Sequence, residues 1–440
     1  MSTTIESLPD ELLVEITRNL YDPSEDYYIK DFHEETGVRS YHVSNLRLVS
    51  RRFSYITTPF LYEYFEASRF RSIRRIRQFL RLLNQQPDVA RYTERVVMRY
   101  DAYEYLSQPY NAPAAALLLC KLRNLKRICV ISFNDDSDGM FWRAWRNISP
   151  SPTLPVLEVF RWNHYQRGGN YRPNLNHLLP VMAAAPKLKK VKVDSCHVKL
   201  DLRAEVPEEL VPPKLSELLL TPGLDLSMVT SLEFLCACIP GKWFEALFSA
   251  TKSLKNFTYI SDTLDNSLLK FSSSQFAAAL KTIAGTLERL EIDAIHYCNN
   301  SSCTPFDPFS EFPQLDTLIT RYHWLARSGI TGTLVDMLPP NLVTLSLGCC
   351  EGAEEDLFVD LTEVVQAKSG ERYQDLERVE ARFRCGEDRA SLQIAELKEI
   401  CKGVGVVCHV DWWGWYDTEW WDAGWDAEWT IFEEVTNTDG

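Results

Sequence analysis

The sequence predicts an α/β chain: a short all-helical N-terminal unit, then an irregular right-handed solenoid with a parallel sheet on its concave face. Three observations predict it. A hexad of the form L-x-x-L-x-L recurs along most of the chain, and helical stretches alternate with the hexads. A separate set of helix-period apolar residues occupies the first 67 positions.

The N-terminal unit comes first. In "LPDELLVEITRNL", Leu12, Ile16 and Leu20 recur every four residues with Leu8 and Leu13 beside them, which makes one apolar helical face. Pro9 suits a helix start, Ser7 and Asp10 have capping-box spacing, and Asp10 and Glu11 place negative charge at the positive end of the dipole. "NLRLVSRRFSYITTPFLYEYF" then supplies Leu46, Leu48, Val49, Phe53, Ile56, Phe60, Leu61 and Tyr62, and Pro59 marks the expected break between two short helices. Residues 21–44 lie between, with six carboxylates (Asp22, Glu25, Asp26, Asp31, Glu34, Glu35) interleaved with Tyr27, Tyr28 and Phe32. They read either as a solvated loop or as a flap over the neighbouring face.

Together these pieces resemble the F-box motif as fungi carry it. The resemblance rests on L-P-x-E-L-L-x-x-I over Leu8 to Ile16, on L-R-L-V-S-R-R-F over Leu46 to Phe53, and on a closing helix with Phe60, Leu61 and Tyr62. The 21–44 stretch is longer than the turn usual in the family. The resemblance implies binding to a Skp-type adaptor of a cullin–RING ubiquitin ligase, with Leu8, Pro9, Leu12, Leu13, Ile16, Leu48, Val49 and Phe53 as the adaptor-facing set. Some of these must instead hold the unit together, because about sixty residues of short helices are near the lower limit for a self-sufficient core.

"RFRSIRRIRQFLRLL", residues 69–83, sets Phe70, Ile73, Ile76, Leu80 and Leu83 on one face and six arginines around the rest. A basic amphipathic helix with one buried face is the simplest account. Nucleic-acid binding, membrane-surface binding and salt links to an acidic neighbour are the alternatives.

The hexads follow: "LKRICV" at 125, "LEVFRW" at 157, "LKKVKV" at 188, "LSELLL" at 215, "LEFL" at 232, "LKNFTY" at 254, "LERLEI" at 287, "LDTLIT" at 315, "LVTLSL" at 342 and "LERVEA" at 376. Their spacing averages about 28 residues, within the leucine-rich-repeat range. The 17-residue step from Leu215 to Leu232 leaves no room for a full helix. Degenerate strands are expected at 91 ("RYTERVVMRY") and 405 ("GVVCHV"), and helices from 113, 174, 242, 275 and 357. A doubly wound α/β domain would carry a nucleotide loop, and neither G-x-G-x-x-G nor a P-loop is present. The whole chain is similar to a fungal F-box/leucine-rich-repeat protein. The expected organisation is an F-box over 1–67 with an acidic insert at 21–44, a basic amphipathic linker helix at 68–90, a solenoid at 91–410 and a Trp-rich acidic cap or tail at 411–440.

With the leucines turned inward, the intervening residues face the groove: Arg127, Arg161, Lys190, Lys192, Glu217, Asn256, Thr258, Arg289, Glu291, Thr317, Thr344, Ser346, Arg378 and Glu380. Arg127, Arg161, Lys190 and Lys192 form a basic cluster that suits an acidic or phosphorylated target. The competing account is that solvated strand positions often carry Lys or Arg. "DWWGWYDTEWWDAGWDAEW", 411–429, holds seven of the twelve tryptophans and reads either as a terminal cap or as a partner site.

The remaining observations exclude function classes. A net charge of −14 argues against nucleic acid as the main partner. The N-terminus lacks a basic n-region and an apolar h-region, and no apolar run is long enough to span a bilayer, so an intracellular chain without a membrane partner is expected. Twelve cysteines without framework spacing fit a reduced compartment, cytoplasmic or nuclear. Neither His296 with Cys298 and Cys303 nor Cys408-His409 has a recognised zinc spacing, and no G-x-S-x-G or H-E-x-x-H occurs. The expectation is a binding protein without catalytic residues, metal or cofactor: a substrate receptor of an SCF-type ligase. The alternative is a non-degradative scaffold that uses the same surfaces only for protein–protein interaction.

Overall fold

The computed structural model describes residues 5–21, 36–67, 72–100, 111–132, 145, 153–164, 179–194, 225–237, 239, 241–261, 273–294, 306–326, 333–348, 354–370, 372–383 and 391–412. Helix α1 (Asp10–Tyr21) opens on Asp10 and Glu11 and carries Arg18 in its last turn, charges that match the ends of its dipole. The Leu13 N–H donates to the Pro9 carbonyl at 3.2 Å, so Pro9 rather than Ser7 stands at the cap. Asp10 serves another contact. Arg52 donates to its carboxylate at 2.7 Å and to the Leu8 carbonyl at 2.7 Å, tying the start of α1 to the third helix.

Helices α2 (Thr36–Val49) and α3 (Arg51–Glu63) meet at Ser50, which is extended (φ −157°, ψ 166°) and whose Oγ accepts from the Phe53 N–H at 3.3 Å. The expected break at Pro59 is therefore corrected. Helix α3 runs through the proline, with the Thr57 and Thr58 hydroxyls donating to the carbonyls of Phe53 and Ser54 at 2.7 and 2.6 Å. The 21–44 insert is helical from Thr36 onward, and residues 22–35 lie outside the described residues. A small core of Leu13, Phe53 and Ile56, with Leu8, Val14 and Leu46 against it, holds the three helices together.

Helix α3 passes without a linker into β1 (Tyr64–Ala67), a strand ahead of the one expected at 91. It is followed by β2 (Arg95–Tyr100), β3 (Arg127–Ser132), β4 (Val159–His164), β5 (Lys190–Asp194), β6 (Ser231–Ala237) and β7 (Asn256–Ser261). The series ends with β8 (Arg289–Ala294), β9 (Thr317–Arg321), β10 (Thr344–Gly348), β11 (Arg378–Phe383) and β12 (Val407–Trp412). All twelve form one parallel sheet in chain order. "LSELLL" at 215 lies outside the described residues, and β5 pairs directly with β6, so no strand stands between them. The hexad that feeds β6 starts at Val229, not Leu232, because Ser231 is in register with Lys190.

The leading apolar residue lies two positions before its strand, as Leu125, Leu157, Leu254, Leu315 and Leu376 show, and each is fully buried. The second and fourth strand residues, such as Ile128, Trp162, Phe257 and Leu345, join the same core. Helices α4 (Ser72–Gln85), α5 (Asn111–Lys121), α6 (Leu179–Ala184), α7 (Gly241–Ala250), α8 (Ser273–Lys281), α9 (Leu334–Met337), α10 (Glu354–Ser369) and α11 (Ser391–Gly403) lie between strands in the chain. Helix α4, expected as a linker, buries Ile76, Phe79, Leu80 and Leu83 in this core and stacks Phe79 on Phe65 of β1 at 4.4 Å. It is the first helix of the solenoid. In the middle, Phe244 on α7 meets Tyr259 at 5.0 Å and Phe276 at 4.9 Å edge to face, a geometry aromatic pairs prefer.

Just before each of the strands β2 to β10, one carbonyl accepts two N–H groups from the next turn. The Glu94 carbonyl takes Lys126 at 2.8 Å and Arg127 at 3.0 Å, and the pattern repeats at Lys126, Glu158, Lys189, Thr230, Lys255, Glu288, Asp316 and Val343. Side chains on this rim pair across turns: Lys126–Glu94 at 2.8 Å, Lys189–Glu158 at 3.0 Å and Lys255–Glu288 at 2.6 Å. Each exposed pair stabilises by at most about 1 kcal/mol. Their alternating sign matches each turn to its neighbour.

Candidate functional site

Two surfaces carry the candidate residues. The first is the outside of the N-terminal helices. Phe53 and Ile56 point into the small core, so the opposite side of α3 and the ends of α1 and α2 must face outward. Leu48 is 83% exposed, Tyr55 78%, Val49 60% and Leu12 51%. Leu48 and Val49 end α2 at the Ser50 corner, where the chain reverses before either can be covered. The set expected from sequence therefore divides. Pro9, Leu12, Leu48 and Val49 are exposed and Leu8 and Ile16 half-buried, whereas Leu13 and Phe53 are core residues that no partner can reach. Tyr55 and Leu20 belong to the exposed set and were missed; Tyr55 could have been found from the positions of Phe53 and Ile56, which turn it outward.

The second surface is the sheet face turned away from the helices. Parallel register brings first residues into one row and third residues into another. Arg161 aligns with Lys192, and Arg127 and Lys190 flank Val159. The basic cluster expected from sequence is thus assembled on β3, β4 and β5. Lys192 pairs with Glu233 at 3.2 Å, while Arg161 and Lys190 are exposed and form no ion pair among the described residues.

The other half of this face differs from expectation. Glu291 and Glu380 are only 8% and 4% exposed and act as internal counter-ions. Arg289 reaches Glu291 at 3.1 Å, and the Thr258 hydroxyl lies 3.4 Å from the same oxygen. Arg378 and Arg382 hold Glu380 at 2.6 and 3.4 Å, and Arg321 holds Asp293 at 2.5 Å. Arg289 and Glu291, expected to greet a target, instead neutralise each other, and Arg378 is taken up by Glu380, because a carboxylate taken out of water needs a paired charge. Ser346 is buried between these pairs, and small residues (Thr344, Ser346, Gly348) make the floor along β10. Glu217 and the Trp-rich stretch beyond Trp412 lie outside the described residues.

Among the described residues, no three His, Cys, Asp or Glu side chains approach closely enough to hold a metal ion, and no helix is long and apolar enough to cross a membrane. No protein-family model matches the chain, and neither does any curated protein. Among solved structures, the crystal structure of a Bacteroides fragilis protein aligns at 12% identity with a TM-score of 0.37, over 71% of this chain and 73% of that one.

Proposed function

We propose that the chain is the substrate-recognition subunit of an SCF-type cullin–RING ubiquitin ligase, an intracellular binding protein without chemistry of its own. The observation that carries this reading is the apolar corner. Leu48, Val49, Leu12 and Tyr55 face solvent on a unit that, among its described residues, buries only four apolar side chains, Leu13, Val43, Phe53 and Ile56. Covering one such side chain contributes roughly 1.5–3 kcal/mol, so a partner that covers four gains enough for tight binding. The F-box resemblance of Leu8–Ile16 and Leu46–Phe53 names that partner as a Skp-type adaptor. The solenoid would then hold the target on its open face, read here as the concave wall of a right-handed leucine-rich-repeat-like array.

The test is binding of the purified Skp-type adaptor to wild type and to a Leu48→Asp, Val49→Asp variant. Both residues are exposed, so helicity and melting temperature should hold while affinity falls at least about a hundredfold, the equivalent of roughly 2.7 kcal/mol. A folded wild type that does not bind would end the ligase reading. Adaptor binding without ubiquitination of any co-purified target would favour the non-degradative scaffold.

A further inference from the structure

Helix α4 is electrostatically wrong for itself. Arg74 and Arg75 occupy its first turn, where the dipole disfavours cations, and that turn has no acid. Arg77 and Arg81 continue the series at like-charge spacings of three and four, which also destabilise an isolated helix. The helix contains no carboxylate along its length. Arg74, Arg77 and Arg81 are exposed and form no ion pair among the described residues; Arg75 reaches only the Glu66 carbonyl, at 3.4 Å. In the first turn of α3, by contrast, Arg52 is held by Asp10 and the Leu8 carbonyl. The rim lysines have their glutamates.

We infer that the stripe Arg74–Arg77–Arg81 is a docking surface for an acidic segment of a protein, carried by the assembly that engages the apolar corner. This rests on the adaptor reading above. The corner itself points to the same partner chemistry: Arg47 and Arg51 flank Leu48 and Val49, are exposed, and form no ion pair among the described residues. Helix α4 also follows α3 and β1 in the chain, and the ring of Tyr62 on α3 lies 6.4 Å, centroid to centroid, from that of Phe79. The stripe is about 10 Å long at 1.5 Å per residue, the footprint of a short peptide segment. A lipid surface is disfavoured because the apolar side of α4 is already buried through Ile76, Phe79, Leu80 and Leu83, which leaves nothing to insert. Nucleic acid is disfavoured because a polyanion extending past the stripe meets a chain of net charge −14.

The experiment measures binding of the purified, cullin-bound Skp-type adaptor across a salt series. The proteins are wild type, an Arg74→Glu, Arg77→Glu variant, an Arg74→Gln, Arg77→Gln variant, and the Leu48→Asp, Val49→Asp variant. The double glutamate places an acid in the first turn and pairs position 77 with Arg81, so its melting temperature should equal or exceed that of wild type. Its affinity should nevertheless fall about tenfold at low salt with a flattened salt dependence, the glutamine variant lying between. Higher stability with weaker binding is a combination that a purely structural role for the arginines does not produce. Identical binding of wild type and both α4 variants at every salt concentration overturns the stripe and leaves the corner standing. Loss of affinity for a single-stranded oligonucleotide or anionic vesicles, with adaptor binding unchanged, also overturns it. A wild type that does not bind removes both readings.

Discussion

Glu63 closes α3 and is the first carboxylate of the solenoid. Burial raises its pKa above the ordinary 4.5, and Arg95, 3.7 Å away, opposes the shift only in part. A carboxyl with a raised folded-state pKa favours folding when protonated. That contribution is fully present below the unfolded value and lost as pH rises through the folded one. At neutral pH the charge is then a net cost, and Glu63→Gln should raise stability at pH 7 by less than about 1 kcal/mol, a gain that vanishes near pH 4. Thermal melts at the two pH values check this; a destabilised variant at pH 7 would mean that the Arg95 pair outweighs burial. A second residue-level contrast concerns thiols. The Cys401 side chain donates a hydrogen bond to Cys408, which lowers the Cys408 pKa against the opposing effect of burial, with Lys398 helping, whereas burial alone raises Cys120. In the native protein, iodoacetamide should therefore modify Cys408 before Cys120, and Cys401→Ala should slow it, as peptide mass mapping would show.

Among the elements, the α2–α3 corner depends on one side chain. Ser50→Ala removes the acceptor for the Phe53 N–H and should cost about 1 kcal/mol of stability. On the proposed function, adaptor affinity should drop as well, because Leu48 and Val49 are aimed by that corner; unchanged affinity would show that the corner is set by packing alone. At this scale the sequence was legible wherever a hexad had a partner of matching register. It misled in three places, each for a physical reason. Tyr64–Ala67 lacks a leading leucine and reads as the tail of a helix, although its backbone pairs with Arg95–Met98. Leu232 has the look of a hexad start, but pairing of Ser231 with Lys190 moves the start to Val229. Pro59 looks like a breaker, yet the break fell at Ser50, where a side chain could satisfy the freed N–H.

For the molecule as a whole, hydrophobic period revealed the layers, and charge was the part least legible. Arg289, Glu291, Arg378 and Glu380 alternate along their strands in a way that cannot distinguish a face waiting for a ligand from one already neutralised. Only the distances decide it. The exposed corner was legible as a motif but not as a surface, since Leu13 and Leu12 are adjacent in sequence and have opposite fates. The absence of a linker between α3 and β1 has a consequence for reach. The Glu63 carbonyl already accepts the Glu94 N–H, so the helices that would hold the adaptor are continuous with the rim of the sheet. Strands about 4.8 Å apart make the twelve-strand sheet a stiff arm of roughly 50 Å. On the proposed function, cargo held at β4 and β5 would ride about 15–20 Å along the sheet from the shoulder, and cargo at β11 about 50 Å. The position along the sheet at which a target binds would thus determine which of its side chains arrive within working range.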